Sequence, residues 1–339
     1  MRRLPLVIAV VLATLGSVAV AGADTTTTST TTSTTTTTAI APVHHRVAAL
    51  TGLPDPTATT KRRSALTIKI DNTQEAHPQY GIDHADVIYE EIVEGGITRL
   101  AAIFNSRLPP KVGPVRSVRR TDREIVFPIG GIFAFSGGAA YALKSIASAP
   151  VKTFDQSNAR GAMFRDLSRP PPHNLFANAV ALMKLGGKVH SPRALFTYVA
   201  KFAAPVGVPV GSFSVNFAAG YATSWQWNAK TRSWDRSIFG RPDFTADARR
   251  LSPTNVVVMS VNYKGGVGVE GSEAQLTGSG PVKVFSDGRL QKGRWFRSKI
   301  QRPTAYRSAS GKVITLRPGQ TWVELLATNE NVTVYARAK

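Results

Sequence analysis

The sequence predicts an α+β fold: an N-terminal mixed-sheet, α/β-type layer domain over residues 47–205, followed by a smaller, mainly antiparallel β domain over 206–339. Three observations carry this. The 339 residues exceed what one core usually organises, about 100 to 200 residues, so two folded domains are expected. Before residue 205, β-branched apolar runs alternate with helix-like runs across glycine turns, the pattern of helices layered on a mixed sheet. From residue 211 onward, short apolar runs are separated by turn signals, as in a small barrel or sandwich.

Met1, Arg2 and Arg3 precede a mostly apolar stretch over 4–20, and Ala21-Gly22-Ala23 offers a small-residue cleavage site. Residues 1–23 therefore read as a secretory signal peptide, with an uncleaved membrane anchor as the alternative. Residues 24–46, dominated by Thr, have nothing to bury and read as a linker or stalk. Either reading of the leader places the remainder outside the cytoplasm, secreted or associated with the cell envelope.

The formal net charge is +21, with +9 carried through Ala200 (22 Lys/Arg against 13 Asp/Glu) and +12 beyond it (20 against 8). A spread excess of this kind favours acidic partners. For an exported chain these are an anionic cell-wall polymer or glycan and contact with the membrane surface, not nucleic acid. The chain has no cysteine, which excludes disulfides, thiolate metal sites, cysteine nucleophiles and lipid attachment through an N-terminal Cys. His77 and His84 lie near Asp83 and Asp86, but their spacing matches no metal motif, and no metal or cofactor is expected.

Taken in order, residues 65–70 read as a first strand ending at Asp71-Asn72. Residues 86–94 and 97–104 then form a hairpin about Gly95-Gly96. With a two-residue loop there, Ile92 faces Arg99 and Glu91 faces Leu100, so Glu90, Glu94 and Arg99 share one face as a structural charge cluster. Glu91 falls on the other face, where desolvation would raise its pKa towards that of a general acid. A short helix is expected from Thr121-Asp122-Arg123-Glu124, which has capping-box spacing, to Pro128. Residues 132–135 read as a strand turning through Ser136-Gly137-Gly138 into a helix over 139–147, with Ser136 as its N-cap. Further helices are expected over 175–185 and 193–202. The strongest signals of the second half are the apolar runs at 256–261 and 282–285, the Asp287-Gly288 hairpin turn, and the runs at 313–316, 322–326 and 332–335.

The order of Lys69-Ile70-Asp71-Asn72, the Tyr89-Glu90-Glu91 to Thr98-Arg99 hairpin, Val112-Gly113-Pro114-Val115-Arg116-Ser117, Ser136-Gly137-Gly138 and Pro172-His173-Asn174-Leu175 resembles the YerB-like family of exported bacterial envelope proteins. Their N-terminal part is called domain of unknown function 3048, and a companion domain follows it. The resemblance implies an envelope location and supplies no established reaction.

Two chemistries are open. Arg116 and Arg119 beside a helix start, Ser136, Gly137 and Gly138 on a strand-to-helix turn, and His173 with Asn174 after three prolines are the candidate ligand-binding residues. They favour a protein that binds an anionic or carbohydrate wall component. The alternative is a carboxylate-dependent glycan hydrolase with Glu91 as acid and Asp71 or Asp122 as the second carboxylate, set across an open groove.

Overall fold

The computed structural model describes residues 46–200, 203–218 and 221–336. The expected leader, and the linker up to residue 45, lie outside the described residues. The first apolar run forms β1 (Leu66–Asp71), in which Leu66, Ile68 and Ile70 enter one core. Alternation sends Thr67, Lys69 and Asp71 to the opposite face. β2 (Val87–Ile92) and β3 (Thr98–Phe104) form the expected antiparallel hairpin, with β3 also paired to β1.

The hairpin register differs from the expected one. The connection is longer than two residues: Glu94–Gly96 make a 3-10 turn closed by Val93 N–H donating to Ile97 O at 2.8 Å, with Gly95 and Gly96 both at positive φ. Glu91 therefore pairs with Arg99, and Glu90 with Leu100. A one-residue shift in register changes which side chains of the two strands share a face. Glu90 and Arg99 now point to opposite faces, so the three-membered cluster of Glu90, Glu94 and Arg99 is not formed.

The rest of this half supplies α1 (Arg120–Val126), β4 (Gly131–Ala134), α2 (Ala140–Ile146), β5 (Val151–Phe154), β6 (Met163–Arg165), β7 (Leu175–Ala177) and α3 (Ala179–Gly186). β4 lies parallel to both β1 and β5, while β6 and β7 form a separate ribbon. The helix expected over 175–185 is divided: its first residues are strand β7, and α3 starts where the Asn178 side chain accepts the Ala181 N–H. No helix forms over 193–200, because the backbone there bonds elsewhere. Val199 N–H donates to Leu316 O, and Thr197 O accepts the Leu316 N–H.

Beyond residue 205 come β8 (Val208–Ala218), β9 (Tyr221–Asn228), β10 (Ser233–Ile238), β11 (Arg241–Pro242), β12 (Asn255–Val261), β13 (Tyr263–Lys264), β14 (Glu273–Ala274), β15 (Gly278–Ser286), β16 (Arg289–Arg297), β17 (Ala305–Ser308), β18 (Thr321–Ala327) and β19 (Val332–Ala336). Most pairings here are antiparallel. The β15–β16 hairpin turns at Asp287-Gly288, where both residues take the positive φ that a tight turn of this type requires. β18 is the exception, running parallel between β12 and β2.

The chain is thus α+β, largely sheet with three short α-helices among the described residues. Through β18, strands from both sides of residue 205 join one mixed sheet of fifteen described strands. Both of its faces are buried. Ile68, Ile88 and Leu100 pack with Val256 and Trp322 on one, and Tyr89, Ala101 and Ile103 with Val257 and Val323 on the other. Polar rows interrupt these cores at the ends of the strands. Glu90 and Glu324 stand side by side on the first face; Asp71, Arg99 and Glu91 cross the second in register.

Candidate functional site

The second-face row leads to a cleft of about 740 Å³. Arg99 forms its floor, Glu94, Ser117 and Arg119 one wall, and Gly138, Ala139 and Tyr141 another, with Glu270 at the rim. Residues 112–118 bring their part of the wall into place by pairing with the last residues of β1, beyond the stretch that β4 covers. Asp71 N–H donates to Pro114 O, Arg116 N–H to Lys69 O and Val118 N–H to Gly137 O, each at 2.9 Å. At Gly138 a Cβ would lie 2.6 Å from the Val118 side chain, so the turn before α2 approaches this segment closely.

Arg99 is only 6 % exposed, yet it forms no ion pair with any described residue. Among the described residues its sole hydrogen bond runs from Nη1 to Ser117 O at 3.3 Å, and its buried Nε finds no partner there. Burial, and then the positive charges of Arg119 and Arg116, draw its pKa down to about 10, still cationic at neutral pH. Arg119 is bound by Glu94, with Nε and Nη2 each 2.8 Å from Oε2. Burial pushes the Glu94 carboxyl up, but the Arg119 hydrogen bond and the charges of Arg119 and Arg99 hold it below the usual range. Arg120 stacks on Tyr141, 4.6 Å from the ring centre.

Arg116 is ion-paired with Asp71, its Nε 3.1 Å from Oδ2 but not aligned for a hydrogen bond. The same oxygen accepts from or pairs with His173 Nδ1 at 2.8 Å, and Oδ1 accepts the Thr73 N–H at 3.1 Å. Asp71 is fully buried, so of the expected site residues Asp71, Arg116 and His173 form one contiguous set beside the cleft. Asn174 is not part of it: it is buried, and its Oδ1 accepts from Arg165. Ser136 does not cap α2. The helix begins at Ala140 with Ala139 in the N-cap position, too far along the chain for the Ser136 hydroxyl, whose own N–H donates to Arg116 O.

The candidate acid lies in the interior. Glu91 is 1 % exposed and ion-paired to Lys69, whose Nζ also lies 2.8 Å from Asp122 Oδ1. Burial raises the Glu91 pKa, as expected, and Asp122 adds to the rise while Lys69 opposes it. Asp122 is fully buried, and its other oxygen accepts the Arg119 N–H at 2.7 Å at the start of α1, whose N-cap position falls on Arg119, two residues before the expected Thr121. Arg119 has no side-chain acceptor, so the reciprocal bond of a capping box is not formed. The open groove between Glu91 and Asp71 or Asp122 is absent: all three are buried and charge-paired.

Glu90 belongs to the opposite face. Its carboxylate binds Arg236 Nη2 at 2.9 Å and accepts from Asn72, Thr98 and Trp322. Arg236 also pairs with Asp243, and neighbouring Glu324 accepts from Thr223 and Trp225. Burial, then the Glu90 charge, push Glu324 up to about 8. Among the described residues no group of three or more His, Asp or Glu side chains is arranged to hold a metal ion.

Sequence reasoning missed Lys69, Tyr141, Glu270, Arg236 and Glu324. Only Glu270 carried a local signal: it sits in the run Gly265-Gly266-Val267-Gly268-Val269-Glu270-Gly271, too glycine-rich for a strand.

The chain matches "Protein of unknown function (DUF3048) N-terminal domain" over residues 50–193 and the corresponding C-terminal domain over 213–323. It is 26 % identical over 292 residues to "Putative lipoprotein YerB" of Bacillus subtilis (strain 168), covering 82 % of this chain and 86 % of that protein. The crystal structure of the YerB protein from Bacillus subtilis superimposes with a TM-score of 0.74 at 21 % identity, over 85 % of this chain and 99 % of the other, a likeness of fold. With both halves matched in order, this chain belongs to the YerB-like family, defined by paired DUF3048 N- and C-terminal domains.

Proposed function

We propose that the protein is an envelope-associated binding protein whose cleft takes an anionic group, a carboxylate or phosphate, of a cell-wall polymer. The carrying observation is Arg99, a buried guanidinium without a carboxylate partner on the floor of an open cavity. Burying a charge outside any ion pair is unfavourable; Asp71 and Glu94 offset that only in part, since the Arg99 pKa is still drawn down, and a bound anion adds the missing compensation. Arg119 stands beside it at the wall, and the bidentate geometry of guanidinium suits both classes of anion. The exported leader read from the sequence and the lipoprotein name of the relative support an envelope location. The excess of positive charge on the chain favours acidic wall polymers as the source of the ligand.

The test incubates the purified protein with isolated cell walls over a salt series and measures retention and released fragments together. Retention at low salt that weakens as salt rises, and is lost in Arg99→Met, is expected. No retention at low salt, or retention unchanged in Arg99→Met, would sink the proposal. Release of wall fragments, abolished by Glu91→Gln, would replace binding with hydrolysis.

A further inference from the structure

The cleft holds a second unmatched charge. Glu270 is exposed at its rim and makes no ion pair or hydrogen bond with any described residue. It does not hang from a loose loop. Gly95 N–H in the β2–β3 connection donates to Gly268 O at 2.9 Å, and a Cβ on Gly268 would lie 2.9 Å from Gly96 N, so the glycine-rich segment rests directly on the hairpin tip. Within the segment, Ser272 Oγ donates to Gly266 O at 2.6 Å and Ser272 N–H to Val269 O at 3.2 Å. On its other side, Gly271 approaches Tyr141 and Arg120. Glu270 is thus carried from the second half of the chain to a defined place over a site built by the first.

Arg99 on the floor and Glu270 on the rim line the same cavity without forming an ion pair with each other. Glu94 and Arg119, in contrast, satisfy one another at the wall. One cation at depth and one anion at the mouth, neither held in an ion pair with a described residue, define a polarity for whatever enters. We infer that the ligand is zwitterionic: a carboxylate or phosphate seated on Arg99, with a primary ammonium held by Glu270, the chemistry of an amino acid or of an aminoacyl or peptide branch on a polymer. The inference rests on the anion-binding reading of the cleft. A cavity of this size also has room for more than a single amino acid.

Paired probes that differ only in the ammonium test it: butyrate against γ-aminobutyrate, and hexanoate against ε-aminohexanoate, titrated calorimetrically at low salt into the wild-type protein, Glu270→Gln and Arg99→Met. In the wild type, at least one amino acid is expected to bind about tenfold more tightly than its parent acid, the effect of roughly one added charge contact. In Glu270→Gln the two members of each pair should bind alike, with affinity for the parent acid kept or increased. In Arg99→Met all four probes should be lost. If the acids bind the wild type but the ammonium gives no advantage, the zwitterion inference is overturned and the anion site stands. An advantage that persists in Glu270→Gln removes Glu270 from the role and overturns the assignment. If no probe binds, the zwitterion inference is overturned, and the anion reading is decided by its own wall-retention series. Glu270 is exposed and unbonded, so its variant carries no folding risk, and thermal melts verify that both variants are folded.

Discussion

Arg99 places function and stability in opposition. A pKa pulled from 12.5 to about 10 means the fold disfavours its charge by an amount on the order of 3 kcal/mol. Arg99→Met keeps much of the side-chain volume and removes the charge, so it should stabilise the free protein by about 1 to 3 kcal/mol while abolishing anion binding. Urea unfolding of wild type and variant measures the first effect. A destabilised Arg99→Met would mean that the guanidinium is structural. Glu324 yields a pH prediction of definite sign. Its folded pKa of about 8 lies above its usual 4.5, so between these values the folded state keeps a proton that the unfolded chain releases. Stability contributed by this group should therefore fall as pH rises through that window, by at most about 1.4 kcal/mol per pH unit, and level off above it. Glu324→Gln retains an oxygen to accept from Thr223 and Trp225 and removes the titration. It should be close to wild type near about pH 4.5 and more stable than wild type near about pH 8. Equal stabilities at both pH values would refute the assignment.

At the level of the element, the strands of the hairpin were legible and their partnership was not. Alternation and β-branching located β2 and β3, because burial on two faces leaves a plain mark on composition. The register depended on whether Gly95-Gly96 is the whole loop or part of a longer one, and Gly-Gly permits both. That single ambiguity put Glu90 with Arg99 on paper, whereas the structure puts Glu91 with Arg99 and Glu90 with Arg236. Arg116, Asp71 and His173 were each singled out, but their union depends on pairings between segments about 45 to 100 residues apart, which no local pattern records. The segment carrying Glu270 makes its own prediction. Gly268 has φ of +71° and no room for a Cβ against Gly96, so Gly268→Val should lift the segment off the hairpin at a cost of about 1 to 2 kcal/mol. Hydrogen exchange should rise at residues 265–271 and at the Gly95 amide, with protection in β1 and β12 unchanged. Unaltered exchange at Gly95 would show that the contact is not needed to hold the segment.

For the molecule as a whole, the expected boundary near 205 marks a change of texture, with no helices and many hairpins among the described residues beyond it, and the two family domains fall on either side. It does not mark an end of hydrogen bonding. β18 pairs with β2 from Val87 to Glu91 and sets Glu324 beside Glu90, in a polar cluster to which both halves contribute. Cooperative unfolding is the expected consequence: tryptophan fluorescence, dominated by the second half, and circular dichroism should report one coincident urea transition. Two separated transitions would show that the halves melt independently despite the shared sheet.

The position of β18 also bears on how the chain is made. Synthesis proceeds from the N-terminus, so β2 is available some 230 residues before the strand that covers its open edge. Until residues 321–327 have emerged, the nascent protein exposes an uncapped row of backbone donors and acceptors, and Glu90 and Arg236 lack the Trp322 ring that packs over them. This late-translated strand is thus a keystone. A prematurely terminated product lacking it cannot complete either core, and incomplete chains are distinguished from finished ones by a persistent sticky edge in the middle of the sheet.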